Sequence, residues 1–344
     1  MKDLKAGIIG IGKMGMLHAS ILNSIDNVKV IAIADTEKFL VNFLEKNTKI
    51  KGYNNYLKMI EDSDLDFVYI TTPVHSHIDI ASNCAKRNLH FFVEKPLGRT
   101  ADECEILCKI IKEHNIVNMV GFYLRYSDTF RKAKKILDDG VLGEIKEVRS
   151  SIFQTLEANK SSGWRFSEKL SGGGVLVDLG IHLIDLLIWF FGKIKKVQGL
   201  TESKKLQNVE DYACADLTFE SNLSCSFVAS WNEKNYRLQE TTIEIEGTLG
   251  KMKVNEDFVK IDFKKEQNIE KKSSIFYKQN LYKGIVIDIG GSEYTNEDID
   301  FVNSIKNNIQ SNLNVIHSTM VQSVIDSIYK SSKTKKLESV RFFD

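Results

Sequence analysis

The chain contains very little proline: Pro73 and Pro96 are the two prolines in 344 residues. Average proteins contain about 5% proline. The richness in lysine, asparagine and isoleucine indicates a compositional bias against proline, and these two positions override that bias. Each proline follows a predicted strand, so both segments stand out from the rest of the chain.

The chain also lacks an excess of charge of either sign. Lysine and arginine together number 47, aspartate and glutamate 46, and the formal net charge is +1. No overall field therefore attracts nucleic acid or an anionic membrane. Neither partner is expected, and small molecules are the favoured ligands.

Cysteine is scarce and scattered, and no Cys-x-x-Cys pair occurs. Cys104 and Cys108 lie one helical turn apart, but no second pair of ligands accompanies them, so a zinc site is disfavoured and no metal site is predicted. Reduced thiols are the default in the cytoplasm. The short apolar stretch near the N-terminus is broken by glycines and a lysine, unlike a signal peptide. We expect a cytoplasmic protein.

An uninterrupted apolar run long enough to cross a membrane is missing as well. The most apolar segment, residues 175–191, carries an ionisable group on nearly every turn and falls short of about 18 uninterrupted apolar residues. These groups are Asp178, His182 and Asp185. Spacings of four and three place them on one face of a helix. Burying a polar group without a partner costs about 1–3 kcal/mol, so this face is a candidate active site.

A structural explanation stays open for the same helix. Asp178 could cap the helix after the glycines Gly172 to Gly174, and His182 could be a hydrogen-bonded histidine of the core. Asp185 is expected to be structural.

The length predicts two domains, a dinucleotide-binding domain at residues 1–121 and a substrate-binding and oligomerisation domain at residues 122–344. In the first part, strands alternate with helices, which predicts a doubly wound parallel sheet, the Rossmann type of α/β fold. The predicted strands are 5–9, 28–34, 67–71, 90–93 and 117–121, and the predicted helices 14–24, 39–46, 56–62, 76–87 and 101–113.

Three glycines, Gly10, Gly12 and Gly15, lie between the first strand and the first helix. The first permits a tight turn, the second lets a pyrophosphate approach the backbone, and the third allows close packing of helix on strand. The N-terminus of the helix attracts phosphate. Asp35 ends the second strand, where an acidic side chain binds ribose hydroxyls. The complete pattern predicts dinucleotide binding.

Asp35 also indicates which dinucleotide binds. Its carboxylate would repel the 2′-phosphate of NADP, and no arginine follows it at once, although Lys38 could partly compensate. NAD is therefore the predicted cofactor, and NADP is less favoured. Ligands of such sheets bind outside the carboxyl ends of the strands, where the segments 71–73 and 94–96 both lie.

The second part changes character. After a helix at 129–138, extended segments are predicted at 145–156, 195–202, 213–219, 223–231, 241–246, 250–254 and 259–263. Apolar residues alternate with polar ones from Leu223 to Trp231, which predicts a half-buried antiparallel strand. A sheet packed on one face against helices including 175–191 leaves its other face for water or a second subunit. Two further helices are predicted within 297–330, and Lys264 to Lys272 is predicted to be a charged loop or hairpin tip.

Taken together, several motifs resemble those of the Gfo/Idh/MocA family of sugar and polyol oxidoreductases, from about residue 5 to the C-terminal helices. They are Gly10-Ile-Gly12-Lys-Met-Gly15, Thr72-Pro73 with His77, Glu94-Lys95-Pro96-Leu97, Gly121-Phe-Tyr-Leu-Arg125-Tyr126, Trp164-Arg165, and Gly172-Gly-Gly-x3-Asp178-x3-His182-x2-Asp185. The resemblance implies a Rossmann domain followed by an α/β domain with an open, mostly antiparallel sheet. Val74 departs from the pattern, since asparagine is often found after Thr-Pro in the family.

The resemblance also implies site residues. Lys95, Asp178 and His182 would surround the reacting carbinol. Substrate recognition is expected to add Arg125, Trp164 and Arg165 to these three, although a surface salt bridge is the other explanation for Arg165. The cofactor would be bound by Gly10, Ile11, Gly12, Lys13, Met14, Gly15, Asp35, Thr71, Thr72, Pro73, His77, Glu94 and Lys95.

The chemistry of the residue types agrees with these roles. Oxidation of a secondary alcohol needs a base for the hydroxyl proton, and an imidazole with a pKa near 6.5 suits His182 to that task. Lys95 would stabilise the developing alkoxide and share the proton relay. Asp178 could orient the substrate or the imidazole. Glu94 is expected near the nicotinamide ribose, and His18 near the phosphates.

We therefore predict an NAD-dependent oxidoreductase that acts on a secondary hydroxyl of a cyclic polyol or sugar, free or nucleotide-linked. A homodimer or homotetramer built through the C-terminal sheet is expected. Two alternatives stay open: a redox-neutral sugar oxidoreductase whose tightly bound cofactor is recycled, and a non-catalytic NAD-binding regulator.

Overall fold

A computed structural model describes residues 3–156, 162–264 and 273–343. By contacts, the chain divides into two compact units. The first comprises Met1–Tyr123, Gly284–Thr319 and Phe343–Asp344, and the second Leu124–Lys283 and Met320–Phe342. The predicted boundary after residue 121 lies close to the first change of unit, but a later segment also joins the first unit.

The first unit contains a six-stranded parallel sheet in the order β3-β2-β1-β4-β5-β6. The central strands are buried along most of their length, as expected for parallel strands covered on both faces. The reversal of strand order between β1 and β4 places a ligand crevice at the carboxyl ends of these strands. The strands are β1 Leu4–Ile9, β2 Val28–Ala34, β3 Lys51–Tyr53, β4 Phe67–Ile70, β5 His90–Glu94 and β6 Asn118–Gly121.

The helices of the first unit alternate with these strands, apart from two that come later in the chain. Side-chain caps begin three of them: Asn55 accepts from Leu57 N at 2.8 Å, Thr100 from Glu103 N at 3.2 Å and Asn314 from His317 N at 3.0 Å. The helices are α1 Lys13–Leu22, α2 Lys38–Asn47, α3 Tyr56–Asp62, α4 His77–Ala85, α5 Ala101–Ile111, α10 Ser292–Asn307 and α11 Val315–Thr334, of which α11 belongs to this unit only as far as Thr319.

An aromatic cluster forms the core beneath α10. Phe67, Tyr69, Phe92 and Phe301 are all fully buried. The rings of Tyr69 and Phe92 stack with centroids 4.5 Å apart, and Phe301 meets both edge-on at 5.6 and 5.9 Å. Such pairs contribute about 0.5–1.5 kcal/mol each beyond the burial of their area, so this cluster fixes α10 on the parallel sheet.

The second unit contains a nine-stranded sheet in the order β14-β13-β12-β11-β7-β10-β9-β8-β15. Neighbouring strands are antiparallel except β7 and β10, which are parallel. Along β10, Cys225, Phe227 and Ala229 are buried while Ser224 and Ser226 are exposed, which is the predicted period of two. The strands are β7 Ile145–Phe153, β8 Ile194–Glu202, β9 Tyr212–Phe219, β10 Ser224–Ser230, β11 Glu240–Gly247, β12 Gly250–Val254, β13 Phe258–Phe263, β14 Ser274–Tyr277 and β15 Glu338–Ser339.

The most apolar segment of the chain packs against this sheet. A π-helical turn, Leu176–Gly180, leads directly into α8, Ile181–Phe191. A Cβ on Gly180 would lie 3.0 Å from the Phe227 ring of β10, so glycine permits this close approach. The other helices of the unit are α6 Asp128–Asp138, α7 Glu168–Ser171 and α9 Lys278–Leu281, with the continuation of α11.

One helical stretch, Glu168–Phe191, is long and apolar enough to cross a membrane by length and composition, with a mean hydropathy of 1.9. However, 78% of its apolar window is buried inside the protein. Burial of this extent is typical of a core helix, and it agrees with the prediction from the interrupting charges.

The predicted fold class is confirmed: a parallel Rossmann-type sheet is followed by an α/β unit with a mostly antiparallel sheet. Three short strands were not predicted, namely β3, β14 and β15, because two to four residues carry too little periodicity to identify a strand. The predicted charged loop at 264–272 lies outside the described residues apart from Lys264.

Candidate functional site

The glycine loop between β1 and α1 has the geometry that its sequence predicts. Gly10 adopts φ +90°, and a Cβ there would lie 2.8 Å from Thr72 N. A Cβ on Gly15 would lie 2.0 Å from the Gly10 carbonyl oxygen, whereas one on Gly12 would meet no atom within 4 Å. The first and third glycines therefore serve the turn and the packing, and the second faces open space that fits an approaching pyrophosphate.

The acid at the end of β2 is fixed beside this loop. Asp35 accepts a hydrogen bond from Ile11 N at 2.7 Å through one carboxylate oxygen and from Glu37 N at 2.9 Å through the other. An ionised carboxylate has about four acceptor positions, so both oxygens can still accept hydroxyl donors. Lys38 is exposed at the start of α2.

The end of β4 is also tied to the glycine loop. The Thr71 hydroxyl donates to the Gly10 carbonyl at 2.5 Å, and the Ser76 hydroxyl donates to Thr72 Oγ1 at 2.8 Å. Pro73 then precedes the 3-10 turn Val74–Ser76. These bonds hold the ends of β1 and β4 together, on the two sides of the switch point where a dinucleotide binds.

His77 is buried between the ends of β4 and β5. It is 1% exposed, and its ring nitrogens lie 2.7 Å from the Thr72 carbonyl oxygen and 2.8 Å from the Pro96 carbonyl oxygen. Burial lowers the pKa of His77, although both carbonyl acceptors favour the charged ring. With both nitrogens on backbone carbonyls, His77 holds the ends of β4 and β5 together, and its contact with the cofactor stays a prediction.

Glu94 and Lys95 lie at the carboxyl end of β5. One Glu94 oxygen accepts from the Lys95 backbone N–H at 3.2 Å, and the other lies 3.2 Å from His18 Nε2. A Cβ on Gly121, at the end of the adjacent β6, would lie 3.3 Å from Glu94 Oε2. Glu94 and Lys95 are both half-buried, so each retains some access to a ligand.

In the second unit, the helix that carries Asp178 and His182 begins at a buried glycine turn. A Cβ on Gly173 would lie 1.9 Å from Tyr329 Oη, and one on Gly174 would lie 2.0 Å from the Glu210 carbonyl oxygen. These glycines are therefore required because other side chains and backbone occupy the space.

Glu210 caps this helix. Its carboxylate accepts from Gly174 N at 2.8 Å, from Leu176 N at 3.0 Å and from the Tyr329 hydroxyl at 2.8 Å. Burial raises the pKa of Glu210, and the three donors oppose that rise. The four free N–H groups at a helix start need such acceptors, so Glu210 determines where this helix begins.

The alternative in which Asp178 caps the helix is wrong. Asp178 lies inside the π-helical turn, and its own N–H donates to the Gly174 carbonyl at 2.9 Å. Sequence reasoning missed Glu210 because the cap comes from 36 residues along the chain. The spacing of residues within the helix cannot indicate a capping partner so far along the chain. The only signal is an acidic residue just before a predicted strand.

The three ionisable groups of this segment differ in their surroundings. Asp178 is half-buried, His182 is 3% exposed and Asp185 is 1% exposed. The guanidinium of Arg125 binds Asp185 in a fork, with Nε–Oδ2 at 2.8 Å and Nη2–Oδ1 at 2.7 Å, and lies 5.3 Å from the centre of the Trp189 ring. Asp185 therefore neutralises a buried arginine, as expected for a structural residue.

This fork also bears on the predicted substrate residues. At least two N–H donors of Arg125 bind Asp185 and are not available to a substrate. The role of Arg125 in substrate recognition therefore stays a prediction. Trp164 is half-buried and begins a 3-10 turn, whereas Arg165 is exposed with its guanidinium 5.6 Å from the centre of the Trp164 ring. The pair presents a stacked aromatic and cationic surface.

The described residues offer little support for a metal site or a reactive cysteine. Among residues 3–156, 162–264 and 273–343, no group of three or more histidine, cysteine or acidic side chains is arranged to hold a metal ion. All five cysteines are free, and burial raises the pKa of Cys84 and Cys225 to about 12. These two thiols stay protonated at neutral pH.

Comparisons with known proteins agree with the two-part fold. Residues 4–122 match the description "Oxidoreductase family, NAD-binding Rossmann fold", and residues 130–253 match "GFO/IDH/MocA C-terminal domain". The structure of levoglucosan dehydrogenase in complex with NADH is similar over 99% of this chain and 100% of that one, with a TM-score of 0.91 and 25% identity.

Two curated sequences are similar over shorter stretches. The levoglucosan dehydrogenase of Pseudarthrobacter phenanthrenivorans is 31% identical over 58% of this chain and 54% of its own length. The myo-inositol 2-dehydrogenase of Thermotoga maritima is 27% identical over 55% of each chain. The chain thus spans about half the length of these relatives. Both domains of one family are matched in order, and the chain belongs to the Gfo/Idh/MocA family of NAD-binding oxidoreductases.

Proposed function

We propose that this chain is an NAD-dependent dehydrogenase that oxidises a secondary hydroxyl of a cyclic polyol or sugar. The observation that carries the proposal is the glycine loop, in which the space beside Gly12 is open while Gly10 and Gly15 are tightly packed. This arrangement fits a dinucleotide and has no evident use without one. The names of the two curated relatives support the substrate class.

The proposed cofactor contacts follow the order of the strands. The backbone at Lys13 and Met14, where α1 begins, would bind the diphosphate. Ile11 would contact the cofactor from beside them, since its N–H is already held by Asp35. Asp35 would accept the ribose hydroxyls through its remaining acceptor positions, which favours NAD over NADP because a 2′-phosphate would meet a carboxylate. The segment Thr71 to Pro73 and Glu94 would line the remainder of the cofactor.

When bound, NAD⁺ accepts the hydride that leaves the carbinol carbon. The hydroxyl proton must go to a base at the same time. We propose that His182 is this base. It lies on the helix that Glu210 caps. Asp178, one turn earlier and half-buried, would orient the imidazole or a substrate hydroxyl.

Lys95 would stabilise the developing negative charge on the substrate oxygen and share its proton. Its backbone N–H donates to Glu94, and its neighbour Pro96 is held by His77 through the carbonyl oxygen. These contacts hold the backbone of Lys95 in place at the end of β5. Trp164 and Arg165 are proposed to contact the sugar.

The nine-stranded sheet is proposed to assemble two or four copies of the chain. Support comes from its charged strands: Glu244 pairs with Lys253 at 2.9 Å and Glu246 with Lys251 at 2.8 Å. Their side chains remain about a third to three fifths exposed. Sedimentation measurements would show a single monomeric species if this part of the proposal is wrong.

A substrate screen tests the activity. Inositols, free hexoses and UDP-sugars are each mixed with NAD⁺, and the absorbance of NADH is followed, with NADP⁺ in parallel. We expect turnover with a subset of cyclic polyols or sugars and with NAD⁺. Protein that is purified with bound cofactor and interconverts sugars without net NADH would replace the dehydrogenase by the recycling oxidoreductase. NAD binding without any turnover would favour a regulator.

A further inference from the structure

We propose that His18 is a positioning residue that holds the carboxylate of Glu94 in place for the ligand at the end of β5. His18 lies on α1 and is fully buried. Its Nδ1 lies 2.8 and 3.0 Å from the two carboxylate oxygens of Asp298 on α10, and its Nε2 lies 3.2 Å from Glu94 Oε1. The imidazole thus joins one fully buried carboxylate to one that is partly exposed.

The hydrogen-bond geometry determines the charge of this ring. A neutral imidazole carries one N–H, so its second nitrogen would direct a lone pair at a carboxylate oxygen. Only the doubly protonated ring donates to both carboxylates. Burial alone lowers the pKa of His18, but Asp298 and Glu94 outweigh burial and raise it to about 10. His18 is therefore a cation at neutral pH.

The surroundings keep this cation in one orientation. The rings of Tyr69 and Phe92 lie 5.0 Å from the imidazole, and the ring of Tyr294 lies 6.2 Å away. The Tyr69 hydroxyl also donates to Asp298 Oδ1 at 3.1 Å. The titratable groups that face His18 are thus two carboxylates and two phenols, and the carboxylates are the groups that determine its charge.

Of the two carboxylates, Glu94 is the one with a route to a ligand. Its side chain is 14% exposed, whereas those of His18 and Asp298 are 0% exposed. One Glu94 oxygen faces His18 and the other accepts from Lys95 N. Both ring nitrogens of the buried His18 face carboxylates, so it acts on a ligand only through Glu94, and its expected place near the phosphates stays a prediction.

The consequence is a carboxylate that stays ionised and fixed, directly before Lys95. An ionised, immobile carboxylate is a strong acceptor for ligand hydroxyls, and it loses no freedom when the ligand binds. Without the imidazolium, the negative charges of Glu94 and Asp298 would lie near each other uncompensated, and Glu94 would lose the donor that fixes it. The inference rests on the proposed function for one point, that the ligand hydroxyls belong to the cofactor's ribose.

NAD⁺ binding to the full-length protein, measured by calorimetry from pH 6 to pH 9, tests this without any sugar substrate. We expect His18→Gln to raise the Kd for NAD⁺ about tenfold at pH 7, because Glu94 loses the charged donor that fixes it. In the Glu94→Gln background, the same change should add less than about threefold. His114→Gln is the matched control and should leave Kd unchanged, because His114 hydrogen-bonds to Asn88 at 2.9 Å and has no proposed part in cofactor binding.

Fully additive losses, or an unchanged Kd in His18→Gln, would overturn the proposal even if sugar oxidation were established. If His18→Gln does not fold, the wild-type protein decides. With ¹⁵N-labelled histidine, both ring nitrogens of His18 should carry protons at pH 8, and a single neutral tautomer would overturn the proposal. The stabilisation from the charged ring is complete below pH 6.5 and is lost as the pH rises through about 10, so the free energy of unfolding should fall over that window.

Discussion

The two units hold their proposed catalytic groups by different means. In the first, Glu94 is the last residue of β5 and Lys95 follows it directly, so the sheet itself fixes their backbone. In the second, Asp178 and His182 lie on a helix whose start depends on the carboxylate of Glu210 from a distant loop. A strand end places its groups through the regular register of the sheet. A helix start places them only if a cap fixes its first turn.

Glycine shows the same contrast. In the first unit, Gly12 faces open space and is proposed to serve a ligand, whereas in the second, Gly174 is pressed against the Glu210 backbone and serves packing. Both belong to glycine-rich motifs that look alike as sequence. Only the space around each Cβ position distinguishes a binding glycine from a packing one.

The largest expected effect is a difference in stability between alanine variants of these two glycines. Gly174→Ala should cost more than about 3 kcal/mol of stability, because the added methyl meets a backbone oxygen at 2.0 Å that cannot move aside. Gly12→Ala, with φ −71° and no atom within 4 Å, should fold like the wild type and weaken NAD⁺ binding. Urea unfolding and calorimetry measure the two effects. Equal stability losses in both variants would contradict the contrast.

The next largest effect is on the rate of the chemical step and not on cofactor binding. His182→Ala should lower the rate of the chemical step about 100-fold or more, which is about 2.7 kcal/mol, because the base for the hydroxyl proton is removed. NAD⁺ affinity should stay nearly unchanged, since the cofactor residues belong to the other unit. Single-turnover kinetics on a substrate from the screen gives the rate, with His114→Ala as a control. Unaltered turnover would remove His182 from the mechanism.

The contrast also explains what the sequence could predict. The parallel sheet, the glycine loop and Asp35 follow from local spacing, because each strand, turn and helix in a Rossmann unit is adjacent in sequence. The structure matches the predicted geometry of Gly10 and Gly15 closely. His77 is the exception: its spacing from Thr-Pro is local, but its acceptor on Pro96 is 19 residues away.

The second unit was predictable only in outline. Alternating side chains identified β10, but nothing local indicated that β10 runs parallel to β7, which lies about 75 residues earlier. The polar face of the 175–191 segment stays a predicted site. The fork of Arg125 on Asp185 and the cap from Glu210 could not be predicted, because they depend on contacts 60 and 36 residues apart. Long-range pairing of this kind leaves no periodic signal.

A smaller effect tests the cap itself. Glu210→Gln should destabilise the protein by about 2 kcal/mol, because an amide nitrogen replaces one of the buried acceptor oxygens. Tyr329→Phe removes one donor and should cost about 1 kcal/mol. A double-mutant cycle from urea unfolding should show coupling between the two changes. Strict additivity would mean that Tyr329 and Glu210 stabilise the glycine turn independently.

The smallest effect returns to the first unit and to cofactor choice. Asp35→Ala should shrink the preference for NAD⁺ over NADP⁺ about tenfold, because the carboxylate that repels a 2′-phosphate is gone. NAD⁺ affinity itself should also fall, since Asp35 fixes Ile11 N of the glycine loop at 2.7 Å. Ratios of kcat/KM for the two cofactors measure the change. A wild-type preference for NADP⁺ would show that Lys38, exposed at the start of α2, decides the ribose site instead of Asp35.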